Sequence, residues 1–157
     1  MGLETKLDLN EETIDHLQDL ICANIDAHEG LKESAEKISD SSVASTFREI
    51  AQERTQLAKE LQIYCEWNGE QARKGGSASA AVHRAWIDIR SMLSNGDPYS
   101  ILAEAERGED HIKHAYEDAL KASAGSAMTD VLQAQYRIVK AGHDRIRNLR
   151  DQFKAQE

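Results

Sequence analysis

Four residues able to hold a proton, a charge or a metal stand where apolar side chains are expected: His28, Arg54, Glu109 and His143. Each interrupts an apolar run near the middle of a long helical stretch. If those stretches fold together, the four meet in the interior. An unpaired charge there is too costly to keep, so they form either a closed salt-bridge network or a metal site. Carboxylates for both outcomes stand beside them, with Glu29 after His28, Glu53 before Arg54, and Glu106 one turn before Glu109.

The elements that must position these residues are helices, because apolar residues recur every three or four positions and no alternating strand pattern competes. The first helix is expected over 10–37 on Ile14, Leu17, Ile21, Asn24, His28, Leu31 and Ala35, with Asn10 as its N-cap. The second spans 42–68 on Val43, Phe47, Ile50, Arg54, Leu57, Leu61 and Tyr64, and stops at Gly69. A shorter helix over 77–95 carries Val82, Trp86, Ile89 and Leu93 on one face. The third long helix spans 98–123, with Asp97 as N-cap, Pro98 at the first position and a stripe through Leu102, Ala105, Glu109, Ile112 and Tyr116. The fourth covers 126–154 on Met128, Val131, Gln135, Val139, His143, Ile146 and Leu149.

Short turns join the first helix to the second and the third to the fourth, so two antiparallel hairpins are expected. The 30 or so residues between the hairpins can travel the length of a bundle. One such crossover gives a ferritin-like topology, all-α, with residues 1–157 as one domain. Counting outward from the turns places His28, Arg54, Glu106 to Glu109, and Val139 to His143 within about one helical turn of a common level.

A di-iron bundle takes one Glu from each of two helices and Glu-x-x-His from each of the other two. This chain departs from that pattern. The second helix offers Glu53 and Gln56, with Gln where His belongs, and the fourth offers Lys140 and His143, with Lys where Glu belongs. Positive charge from Arg54 and Lys140 would repel a dinuclear centre. The first reading is therefore a structural polar layer of His28, Arg54, Glu109 and His143, in which Arg54 pairs with Glu109 and no residue is catalytic. The second is a metal site for Fe, Mn or Zn drawn from Glu29, Glu53, Glu106, Glu109 and His143, with His28 in reserve. His83 and Trp86 are expected to dock the crossover helix, while His111 and His114 face water.

Composition closes several other routes. A net charge of −9 is wrong for a nucleic-acid binder, which needs a basic surface. No apolar run approaches the ~20 residues of a membrane span, and no leader is visible, so a cytoplasmic protein is expected. Cys22 and Cys65 lie inside apolar stripes without metal-knuckle spacing and are read as free buried thiols. There is no nucleophile elbow, P-loop or dinucleotide fingerprint.

Several longer motifs carry a resemblance: Asn-Ile-Asp-Ala-His-Glu-Gly at 24–30, Ala-Gln-Glu-Arg at 51–54, Gly-Ser and His-Arg-Ala-Trp within 76–86, Leu-Ala-Glu-Ala-Glu-Arg-Gly-Glu-Asp at 102–110, and Ala-Gly-His-Asp-Arg-Ile-Arg-Asn-Leu-Arg at 141–150. Over residues 14–151 the chain resembles the small bacterial ferritin-like proteins grouped as domain of unknown function 2383. The resemblance implies a ferritin-like four-helix bundle that self-associates, a dimer being favoured, and it raises metal binding without supplying an activity. The resulting expectation is a non-enzymatic bundle that self-associates or binds a protein partner, with a metal-binding, iron-handling or redox protein as the alternative.

Overall fold

The computed structural model describes residues 4–73, 86–89, 91 and 97–155. Among them, four long helices dominate: α1 (Glu11–Lys37), α2 (Ser41–Trp67), α3 (Pro98–Ala122) and α4 (Thr129–Ala155). Their ends follow from local chemistry. Asp40 caps α2, its Oδ1 accepting from the backbone N–H groups of Ser42 and Val43 at 3.0 Å. Asp97 caps α3 in the same way through Ser100 N–H at 2.8 Å, with Pro98 in the first turn. Asn10 is the N-cap of α1 but makes no side-chain cap bond; Glu11 and Glu12 complement the helix dipole instead. At the end of α2, Gly69 adopts φ +74°, and Glu70 N–H returns to the Cys65 carbonyl at 3.0 Å, a closure that needs the left-handed conformation. The fourth helix begins at Thr129 rather than 126, because Ser123 to Met128 form the turn, with Gly125 at φ +80°.

Side-chain contacts fix the arrangement. The pair α1 and α2 is antiparallel, with Arg48 bonded to the Ala35 carbonyl at one end and Gln18 to the Gln71 carbonyl at the other. The pair α3 and α4 is antiparallel through Tyr136 with Glu117 and Arg150 with Glu106. Between the hairpins, α1 faces α3 through Asn24 and Tyr116, and α2 faces α4 through Arg145 and Glu49. Helices α2 and α3 therefore run in the same direction across the diagonal, and the connection between them must carry the chain from one end to the other.

Of the expected crossover helix over 77–95, residues 86–89 and 91 are described and helical; the rest, including Val82, His83 and Leu93, lies outside the described residues. Trp86 is 2% exposed and lies in the groove between α1 and α3. The groove is deep enough because both walls are glycine at that level. A Cβ on Gly30 would stand 2.6 Å from the indole, and one on Gly108 2.9 Å.

An N-terminal strap that the helical patterning did not reveal closes one end. Glu4 accepts from Asn10 N–H (2.7 Å), Thr13 Oγ1 (2.9 Å), Ser126 Oγ (2.5 Å) and Ala127 N–H (3.0 Å), which ties the start of α1 to the α3–α4 turn. Asn68 joins the same strap to the end of α2, accepting from Leu9 N–H and donating to the Lys6 carbonyl. No described helix is long and apolar enough to cross a membrane.

Candidate functional site

Burial of one face of α2 places Arg54 among Ile50, Leu57 and Leu61, and burial of α3 places Glu109 between Ala105 and Ile112. Both side chains are 0% exposed and they meet across the diagonal. Arg54 Nη2 donates to Glu109 Oε1 at 2.7 Å, and Nε donates to Oε1 and Oε2 at 3.1 and 3.2 Å. Nη2 also reaches the Val139 carbonyl of α4 at 3.4 Å. The guanidinium fits because residue 142 is glycine: a Cβ there would lie 2.4 Å from Nη2. Both carboxylate oxygens of Glu109 therefore accept from a buried cation, whose positive charge repels a second positive ion at that carboxylate.

A second polar layer lies about two turns away and joins all four helices. Asn24 Nδ2 donates to the Tyr116 oxygen at 2.8 Å, and Tyr116 O–H donates to Gln135 Oε1 at 2.7 Å. Gln135 Nε2 then donates to the Leu57 carbonyl (3.3 Å) and to Glu60 Oε1 (2.7 Å). Burial pushes the Tyr116 hydroxyl far above its ordinary range, so it stays protonated and keeps its donor role. Each bond in the chain runs one way, which fixes both amide orientations. Asn24, Tyr116 and Gln135 were all visible as stripe positions. Their joint role was not, because one stripe does not say which residue of another helix it meets.

The two histidines do not join Arg54 and Glu109. His28 is partly exposed on α1, with Nδ1 2.8 Å from the Ala51 carbonyl; a carbonyl can only accept, so Nδ1 carries the proton. His143 is 7% exposed in the seam between α3 and α4. Its Nδ1 faces Asp144 at 3.1 Å, while Nε2 faces Asp110 at 3.5 Å and Glu106 at 3.8 Å. The hydrogen bond from His143, aided by Arg147 and Lys140, holds the Asp144 carboxyl below its ordinary range.

The ligand set considered from sequence is not assembled. Glu29 is exposed on α1, and Glu53 stands on α2 3.8 Å from Arg145. Glu106 is bound by Arg150, whose partnership the helical pattern did not signal, and Glu109 is held by Arg54. Around His143, Asp110 and Glu106 approach Nε2 while Asp144 lies at the opposite ring nitrogen, and Arg150 already holds Glu106. Among the described residues no group of three or more His, Cys, Asp or Glu could hold a metal ion. Cys22 and Cys65 are buried and not joined in a disulfide, and burial raises both thiols, Cys65 to about 11, which suppresses the thiolate needed for reactivity.

The family model described as domain of unknown function 2383 matches residues 12–122, well over half of the chain. The chain belongs to that family. The match covers α1, α2 and α3, so Asn24, Arg54, Glu109 and Tyr116 lie within the domain of unknown function 2383 proper. Gly142 and Gln135 on α4, which complete both layers, lie beyond it. No curated protein matches the chain.

Proposed function

We propose that this member of the domain of unknown function 2383 family is a non-enzymatic, ferritin-like four-helix bundle of the cytoplasm that acts through its outer surface, by self-association. The ferritin-like reading rests on two antiparallel hairpins whose second and third helices are parallel and lie on a diagonal. One observation carries the functional reading: the level at which bundle proteins of this topology place their chemistry is filled by the matched Arg54–Glu109 pair. A pair with both oxygens engaged works as a register device, because sliding or rotating either helix would strand a buried charge. Two buried cysteines that are not joined in a disulfide suit a reducing compartment.

The test is a metal titration read by folding. Protein purified without chelator is melted with increasing Fe(II), Mn(II) or Zn(II). A ligand at 100 times its Kd would stabilise the native state by about 2.7 kcal/mol. The expected result is no rise in melting temperature at stoichiometric metal. A saturable rise that disappears in both Glu109→Ala and His143→Ala would overturn the proposal.

A further inference from the structure

The geometry points to a binding site for hydrogen phosphate in the cleft between α1 and α2 beside His28. The cleft has a volume of about 280 Å³ and is lined by His28, Lys32 and Glu36 of α1 and by Arg48, Ala51 and Gln52 of α2. At ~30 Å³ per water, that space takes one tetrahedral anion with a few waters and is too small for a large cofactor. Two of the longer sequence motifs, at 24–30 and 51–54, meet here through the bond between His28 and Ala51.

Charge and unspent donors select the ligand. The cavity beside the N-terminal strap is lined by Asp8, Glu11, Asp15 and Glu70 without a cation, and the one between α2 and α4 holds Lys59 and Glu60 in balance. Here two permanent cations face a single carboxylate, in a chain whose net charge is −9. Lys32, Glu36 and Arg48 form no ion pair among the described residues, so neither cation is neutralised. Arg48 reaches the Ala35 carbonyl of α1 at 3.4 Å, which holds its guanidinium at the turn that carries Lys32 and uses one of its N–H groups. The remaining guanidinium N–H groups and the Lys32 ammonium are left to donate to anionic oxygens.

The histidine decides which anion. Its Nδ1–H is spent on the Ala51 carbonyl, so in the neutral ring Nε2 is an acceptor, and no described residue donates to it. Sulfate, which has no proton to give, would set a negative oxygen against that lone pair. Hydrogen phosphate keeps one O–H, which donates to Nε2 while its charged oxygens accept from Arg48 and Lys32. Glu36 opposes any anion in the cleft, so its charge sets how tightly the site holds.

Calorimetric titration of the full chain with inorganic phosphate, in a phosphate-free buffer of constant ionic strength and slightly alkaline pH, tests the site, with the helix content of every variant checked by circular dichroism. One saturable site is expected, with sulfate about tenfold weaker or more. Arg48→Gln and Lys32→Gln should each weaken phosphate binding by about tenfold or more, since each removes a charged donor. Glu36→Gln should tighten it, and His28→Leu should weaken phosphate while leaving sulfate as it was. Absence of saturable binding at millimolar phosphate overturns the proposal. Binding that is indifferent to both Arg48→Gln and Lys32→Gln places the anion elsewhere and also overturns it. Sulfate bound as tightly as phosphate refutes the bond to Nε2 and the assignment to hydrogen phosphate with it. Should His28→Leu lose helix content, Glu36→Gln, at an exposed position without hydrogen bonds, carries the decision: phosphate affinity that fails to rise overturns the site.

Discussion

Removing the charge from Arg54 should be among the most damaging single changes available in this chain. Arg54→Met preserves much of the volume and deletes three contacts to Glu109 at 2.7, 3.1 and 3.2 Å, between side chains that are both 0% exposed. At ~3 Å and an effective dielectric constant of about 20, the lost attraction is roughly 5 kcal/mol. Mutational experience with one partner of a buried pair gives about 3–5 kcal/mol. In a domain of this size that lowers the melting temperature by about 6–20 °C. Glu109→Leu should cost a similar amount, since it leaves the guanidinium with only the distant Val139 carbonyl. The double substitution removes both charges and should fall within about 1 kcal/mol of wild type, or above it. Urea and thermal unfolding of the four proteins form a double-mutant cycle. A loss below about 1 kcal/mol for Arg54→Met, or additive single and double effects, would refute the claim that a desolvated, mutually compensating pair fixes the bundle.

Two further outcomes test other parts of the fold. Gly30→Ala would set a methyl 2.6 Å from the Trp86 ring; with Gly108 behind it the ring has little room to retreat, so overpacking of about 1–3 kcal/mol should outweigh the ~1 kcal/mol gained in helix propensity. In a Trp67→Phe background, emission from Trp86 should shift to longer wavelength in that variant, and an unchanged spectrum would contradict the packing. Burial alone would raise the Glu4 carboxyl, but bonds from Ser126, Asn10, Ala127 and Thr13 together hold it below 4.5. A lowered folded-state value stabilises the protein above about 4.5 and loses that contribution as pH falls through the lower value. Glu4→Gln should therefore be about 1.5–3 kcal/mol less stable than wild type near neutral pH and should converge with it in acid; a gap that persists unchanged at about pH 3 would show that the charge is not what holds the strap.

The sequence by itself determined which faces of the helices go inside, where the helices break and which charges would be trapped. Apolar periodicity, Asp97-Pro98, Gly69 and Gly125 are local signals, each acting through the backbone within a turn or two of itself. The stripe through Arg54 and the stripe through Glu109 each put a charge in the core, and elementary desolvation then demanded that they meet. Neither stripe could place His28 or His143. A histidine at a helix edge reaches the core or the seam according to a rotation of a few tens of degrees, which only packing sets. His28 turned to the Ala51 carbonyl, His143 to carboxylates beside it, and Arg150 took Glu106. The fit of Trp86 against Gly30 and Gly108, the room that Gly142 leaves for the guanidinium and the strap held by Glu4 were likewise decided in three dimensions. Each depends on atoms from segments far apart in the chain approaching within 3 to 4 Å, a distance much shorter than the one-turn precision that periodicity can give.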